Sequence, residues 1–304
     1  MSYILQTNHL NKSIDGKVLI TDVNIHVKKG EIYGFLGPNG AGKTTVMKMV
    51  TNLWKPTSGT IEIFGEVITP TSYEVLKRMG SIIEFPTFYD HLTGKENLQL
   101  HSEYMGYYNH GSVQNALEIL NLSDAADKPV KSYSLGMKQR LGIARAILSK
   151  PELLVLDEPA NGLDPAGMKQ IRDLFKMLCT EYGITIFISS HILSEIESIA
   201  DTIGVINHGK MMREITMKEI SEMNTAYIEL VTKEIKKAVY ILTDKLGINN
   251  FKVIDADKIR IYEVKASTHE ISKAMLLNNV EIDSIRKESE TLEDYFLKMT
   301  SESR

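Results

Sequence analysis

The stretch Gly37-Pro38-Asn39-Gly40-Ala41-Gly42-Lys43-Thr44-Thr45 decides the fold of this chain. It follows the pattern G-x-x-x-x-G-K-[ST], with Gly37, Gly42, Lys43 and Thr44 at the fixed positions. Before it lies the apolar run Ile32-Tyr-Gly-Phe-Leu36, which reads as a buried strand. After it, Val46-Met-Lys-Met-Val50 reads as a helix. Strand, glycine loop and helix in that order make a phosphate cradle: the glycines let successive N–H groups face one anion, and the helix N-terminus adds partial positive charge. Residues 37–45 are therefore expected to bind a nucleotide. Lys43 would reach the β- and γ-phosphates and the Thr44 hydroxyl would ligate Mg²⁺.

Working outward, Leu153-Leu-Val-Leu156, Ile184-Thr-Ile-Phe-Ile188 and Ile203-Gly-Val-Ile206 are continuous apolar runs, as expected of strands buried on both faces of a parallel sheet. Shorter strand candidates are Thr60–Phe64 and Ser81–Glu84, and residues 1–30 alternate strand-like pieces with turns such as Ile14-Asp-Gly-Lys17. Residues 95–122 read as helical, with a break marked by Gly106 and Gly111. The first domain, 1–220, is expected to be α/β with a mixed sheet. Beyond it the pattern changes to strand Tyr227–Val231, helix Glu234–Leu246, strands Phe251–Ile254 and Lys258–Val264, helix His269–Leu277 and strand Val280–Ile285. That order, βαββαβ, predicts a small ferredoxin-like module over 225–304, closed by a helix over Thr291–Lys298.

Two further elements suit phosphate chemistry. A buried strand ending in Asp157-Glu158 carries carboxylates to the sheet's C-terminal edge, where ligands of open α/β sheets collect. There Asp157 would hold Mg²⁺ and Glu158 would polarise an attacking water. Adjacent carboxylates at a strand end also serve as helix caps, but the phosphate loop favours the metal. In Tyr133-Ser-Leu-Gly-Met-Lys-Gln-Arg140, Ser134 fits an N-cap of a helix whose apolar face is Met137, Leu141, Ala144 and Leu148. From the residues alone this is either a well-capped core helix or a second anion site built from Ser134 and the Gly136 amide.

Composition narrows the class. The chain has 304 residues, a net charge of −4 and one cysteine. It has no polybasic run, so nucleic acid is not expected as a partner. Cys179 can form no intramolecular disulfide, and its amphipathic surroundings, Ile171–Cys179, predict a packed thiol in a reducing compartment. No apolar stretch reaches the ~18–20 residues that span a bilayer. The N-terminus lacks the pattern of a signal peptide. Work at a membrane would go through another subunit.

Taken in order, these elements resemble the ATP-binding subunit of an ABC transporter. Tyr133–Gln139 resembles its signature motif, usually Leu-Ser-Gly-Gly-Gln, with Ser134 and Gly136 kept while Leu135 and Met137 depart. Asn161-Gly-Leu-Asp164 resembles the D-loop, and His191 resembles the switch histidine at a strand end. The resemblance covers residues 3 to about 215. It implies ATP and Mg²⁺ as cofactors, with Pro38, Asn39, Gly40, Ala41 and Thr45 completing the nucleotide loop. It further implies a second copy closing head to tail, so that Ser134, Gly136 and Asp164 face the partner's nucleotide. A polytopic membrane permease would hold the subunit at the cytoplasmic face of the membrane.

Two positions depart from the family pattern. Ile14 stands near the place of an adenine-stacking aromatic, and Tyr3 is a candidate to replace it. Glu84 stands where most members carry glutamine, in the loop expected to contact Mg²⁺, water and the permease; it adds negative charge near Asp157 and Glu158. Together with Gly136-Met-Lys-Gln-Arg140, the C-terminal module and the ending Leu292-Glu-Asp-Tyr-Phe-Leu297, Glu84 resembles the bacitracin-resistance and lantibiotic-immunity exporters. Two other readings stay open: a soluble ABC-type ATPase of translation or DNA repair, and an importer subunit with a sensing C-terminal module. The module itself would stabilise the dimer rather than bind a ligand, since no polar constellation marks a site in it.

Overall fold

The computed structural model describes residues 3–107, 109, 111–223, 226–262 and 267–289. The chain divides into two compact units, Met1–Met217 and Lys218–Arg304. In the first, strands β1 (Tyr3–Ile14) and β2 (Lys17–Lys28) form a long hairpin, followed by β3 (Ile32–Leu36), helix α1 (Lys43–Val50), β4 (Ser58–Ile63), β5 (Glu66–Val67), α2 (Tyr73–Lys77) and β6 (Met79–Ile82). Helices α3 (Gly94–Tyr104), α4 (Ser112–Ile119) and α5 (Leu135–Ile147) come next. Then β7 (Leu153–Leu156), α6 (Pro165–Thr180), β8 (Thr185–Ser190), α7 (Leu193–Glu197), β9 (Thr202–Asn207) and β10 (Lys210–Thr216) complete the unit.

All ten strands join one mixed sheet, ordered β5-β4-β1-β2-β10-β9-β3-β8-β7-β6. The half from β9 to β6 is parallel, and every residue of β3, β7 and β8 is buried. Continuous apolar runs are the sequence form of such strands, because helices cover both faces. The half from β2 to β5 is antiparallel. Between the halves, β2 and β10 share one register pair, Lys210 opposite Thr21, and the Thr21 amide donates to the Gly209 carbonyl at 2.8 Å. Asp15 and Gly16, both at positive φ, make the hairpin turn between β1 and β2, the geometry that matches strand twist. The helical break expected near residue 106 falls between α3 and α4.

The capped helices follow their sequence signals. Thr93 and Glu96 form a reciprocal capping box at α3. Ser134 caps α5 and Asp164 caps α6, which carries Pro165 at its first position. Ser81–Glu84 departs from expectation: β6 stops at Ile82, and Glu84 sits beyond it at φ 62.

The second unit, by itself, contains α8 from Lys218 on (Met217–Met223), β11 (Ala226–Val231), α9 (Ile235–Tyr240), β12 (Phe251–Asp255), β13 (Lys258–Ile261), α10 (Thr268–Leu277) and β14 (Ser284–Ser289). After α8 the order is βαββαβ, and the antiparallel sheet runs β12-β13-β11-β14, the arrangement of a ferredoxin-like module. Its core gathers Ile228, Leu230, Leu242, Ile259, Ile261 and Ile271 among others. The expected strand Val280–Ile285 is displaced: Val280 is buried as part of the α10 exit, its amide bonded to the Met275 carbonyl at 3.0 Å, and the ladder begins at Ser284. Apolar alternation there marks burial ahead of pairing. The helix expected over Thr291–Lys298, and the Leu292–Leu297 ending, lie outside the described residues.

Candidate functional site

The site grows from the turn after β3. A Cβ on Gly37 would meet the Ile206 carbonyl at 2.4 Å, so only glycine lets the loop leave the sheet this close to β9. Gly42, at φ 106, turns the chain into α1, a left-handed conformation that a side chain would strain. The Gly37 amide donates to the Ser190 carbonyl at 3.3 Å, which ties the loop to the end of β8. Lys43 is 4% exposed, and its ammonium donates to the carbonyls of Gly37 at 2.7 Å and Pro38 at 3.2 Å. The same ammonium lies 3.1 Å from Glu158 Oε1.

The end of β7 delivers the carboxylates. The Asp157 amide extends the β6–β7 pairing by donating to Ile82 at 2.9 Å. Its carboxylate takes the Thr44 hydroxyl on Oδ2 and the Ser189 hydroxyl on Oδ1, both at 2.7 Å. Ser189 accepts in turn from the Glu158 amide at 2.9 Å. Glu158, at φ 46, bends back so that Oε1 meets Lys43 and Oε2 meets His191 Nδ1 at 3.0 Å. Lys43, Thr44, Asp157, Glu158 and His191 thus form one contiguous cluster at the C-terminal edge of the parallel strands.

Ser134, Gly136 and Asp164 stand apart from it. They line a cleft of about 380 Å³ together with Arg140, Gly162 and Leu163. The Ser134 and Asp164 side chains already cap their helices through the Met137 and Gly167 amides. Among the described residues, no side-chain hydrogen bond joins this cleft to the Lys43 cluster.

Glu84 is placed differently again. It is 61% exposed and pairs with Lys48, Oε1 to Nζ at 2.6 Å, so the charge it brings already has a counter-ion. Tyr3 is removed as a substitute stacking partner for adenine. It begins β1 whereas Ile14 ends it, and its ring packs on His26 with centroids 5.2 Å apart. Cys179 is packed as expected, with its thiol donating to the Gly30 carbonyl at 3.2 Å; burial first, then Asp201 and Glu31, push its pKa up.

Sequence reasoning missed Ser189 and Lys48. The signal for Ser189 is two serines closing an otherwise apolar strand directly before His191; the signal for Lys48 is its place one helical turn after Thr44.

The residues fit a magnesium nucleotide. Of Asp157, Glu158 and Glu84, Asp157 is the one without a cationic partner among the described residues, although it is only 5% exposed. A buried carboxylate carrying only hydroxyl donors, beside a threonine hydroxyl, is a hard-oxygen set of the kind Mg²⁺ takes when phosphates supply its other ligands.

A glycine cradle, a buried lysine and two strand-end carboxylates on this sheet, beside a serine-capped helix, define a P-loop ATPase of the ABC class. The comparisons agree. The ABC transporter family model matches residues 20–161. The chain is 58% identical to an uncharacterized ABC transporter ATP-binding protein, YcbN, of Bacillus subtilis, over 98% of this chain and 97% of that one. It is 44% identical to the bacitracin transport ATP-binding protein BcrA of Bacillus licheniformis, over 98% of each. Among solved structures, the cbiO1 component of a Clostridium perfringens ABC transporter complex superposes with a TM-score of 0.67 at 26% identity, covering 81% of this chain and 98% of that one. The chain belongs to the ATP-hydrolysing, ATP-binding subunits of ABC transporters.

Proposed function

We propose that this ATPase energises export of a peptide antibiotic, of the bacitracin or lantibiotic kind, through a separate polytopic permease, and so confers resistance or immunity. Among the described residues no helix is long and apolar enough to cross a membrane, so the membrane path belongs to that partner, which holds the subunit at the cytoplasmic face. The observation that carries the cargo reading is the bacitracin transport relative, whose alignment runs through both units of this chain.

In this reading Gly37–Thr45 hold the triphosphate, and Lys43 exchanges its contact with Glu158 for the β- and γ-phosphates. Thr44 and Asp157 would hold Mg²⁺, which would supply positive charge to offset that of the phosphate oxygens. Released from Lys43, Glu158 accepts a proton from water as the water oxygen bonds to the γ-phosphorus and the bond to ADP breaks, while His191 keeps the Glu158 carboxylate oriented through Oε2. Ser134, Gly136 and Asp164 serve a second copy's nucleotide, which accounts for a signature cleft apart from the Lys43 cluster. For the permease we assign the cleft of about 290 Å³ lined by Thr87, Phe88, Tyr89, His101, Tyr104 and Arg145. Its wall begins three residues after Glu84, and Arg145 secures it through the Thr87 carbonyl at 2.8 Å.

The test uses a strain lacking this chain and its neighbouring permease, complemented with the permease plus either wild type or Glu158→Gln. Wild type should restore tolerance to bacitracin or to a lantibiotic, and Glu158→Gln should not. Equal susceptibility of both strains to both compounds, with purified wild type still hydrolysing ATP, would remove the cargo reading and leave the ATPase.

A further inference from the structure

We propose that Lys48 is a positioning residue for Glu84: it holds the carboxylate off the metal pair Thr44–Asp157, and gives it up when Mg²⁺ arrives, with Trp54 beside the ammonium throughout. The inference rests on the ATPase reading above and extends it to residues outside the loop motifs.

Geometry carries the argument. Ile82 ends β6 with its carbonyl on the Asp157 amide, so Glu84 is rooted two residues from the carboxylate that touches Thr44. Yet its side chain turns to Lys48, at 2.6 Å. Thr44 and Lys48 are four residues apart on α1, one turn, so their rows on the helix surface differ by roughly 5–6 Å. That interval is on the order of the swing of a glutamate carboxylate between rotamers. Its backbone, at φ 62, lies in a left-handed conformation uncommon for glutamate, the kind of local strain that gathers at switch segments. An ion pair this exposed is weak and screened, so a divalent cation can compete for the carboxylate.

Lys48 is itself held. The turn after α1 folds back so that the Trp54 amide donates to the Lys48 carbonyl at 3.0 Å. The Lys48 ammonium then lies 4.9 Å from the Trp54 ring centroid. Lys12 approaches the same ring at 5.7 Å while donating to the Lys55 carbonyl at 2.7 Å. Cation–π contact keeps Lys48 in place after Glu84 leaves. Trp54 is also the chain's single tryptophan, so departure of the carboxylate changes the field across the one indole that fluoresces.

The experiment uses the full chain as wild type, Lys48→Met, Lys48→Arg and Glu84→Gln. ATP binding is measured first by equilibrium dialysis; then Mg²⁺ is titrated into ATP-saturated protein while Trp54 emission and hydrolysis are followed. Wild type and Lys48→Arg should show a Mg²⁺-dependent emission change that Glu84→Gln lacks. In Lys48→Met the Mg²⁺ needed for half-maximal hydrolysis should fall by roughly threefold, the size of a weak exposed pair, and Lys48→Arg should restore it. An unchanged Mg²⁺ requirement in Lys48→Met, or the wild-type emission response in Glu84→Gln, overturns the proposal. Should Lys48→Met not fold, response kept in Lys48→Arg and lost in Glu84→Gln supports it, and equal response in both overturns it. Failure of wild type to bind ATP would instead strike the ATPase reading.

Discussion

Ser189 carries more of the site than its size suggests. Its one hydroxyl donates to Asp157 and accepts from the Glu158 amide, so it sets the spacing of both carboxylates. Ser189→Ala leaves a buried carboxylate oxygen and an amide without partners, and partners of this kind cost metal sites about 10–100-fold when removed. We expect its Mg²⁺-dependent ATPase rate to fall by about that factor with little loss of ATP affinity, measured by steady-state hydrolysis and dialysis. Lys43→Ala should differ, losing tight ATP binding, since it removes the ammonium under the loop. Ser134→Arg should bind ATP as wild type does, because Ser134 lies outside the Lys43 cluster, yet fail to hydrolyse it, because the bulk and charge would obstruct the second copy's nucleotide. Equal loss of binding in those two variants would count against the division between the two clefts. Cys179 offers a check on packing: with its pKa pushed up by burial and by two nearby carboxylates, it should react with a thiol-alkylating reagent at pH 8 far more slowly folded than in urea.

Helix α3 shows how local rules fix an element that the apolar pattern leaves loose. The Thr93 hydroxyl accepts from the Glu96 amide at 3.1 Å, and Glu96 Oε2 accepts from the Thr93 amide at 2.7 Å. Thr93→Ala should lower stability by about 1 kcal/mol, read from denaturant midpoints. The Glu96 half works as a carboxylate. The Thr93 amide, then the Thr93 hydroxyl, lower its pKa, so its contribution is present above the ordinary glutamate value and is lost as pH falls through the lowered one. The midpoint difference between wild type and Glu96→Gln should therefore shrink in acid. The helical character of residues 95–122 was legible from sequence, though not its Thr93 cap, and so were β7, β8 and β9, whose apolar runs have no other use. The twelve-residue lengths of β1 and β2 were not, because bulges near His9 and Lys12 interrupt their alternation. Nor was the outcome at Glu84, whose loop begins where β6 loses its ladder partner. The placing of Asp157 and Glu158 could be read because a strand end aims them; Ser189 could not, because a buried serine has no chemistry until its neighbours are known.

At the scale of the whole chain, each unit has a hydrophobic cluster of its own, drawn for the first from β1–β4, β6–β9 and α1–α2 and for the second from residues 228–280. Calorimetry should resolve two transitions, and ATP with Mg²⁺ should raise the temperature of the one belonging to Met1–Met217 by mass action. A single transition, with equal calorimetric and van't Hoff enthalpies, would show the units melting as one. Within that larger unit, the sparse pairing of β2 with β10 has a mechanical consequence. A sheet pulled across its strands parts where the fewest backbone bonds share the load, and here that line passes through Thr21 and Gly209. The antiparallel flap carrying Ile14 meets the plate carrying Lys43 across that line, where the Glu214 carboxylate of β10 also accepts from the His26 amide of β2 at 2.8 Å, and a ligand gripping both sides would act as a clasp. Deuterium uptake at the Thr21 amide gauges how tightly the clasp is shut.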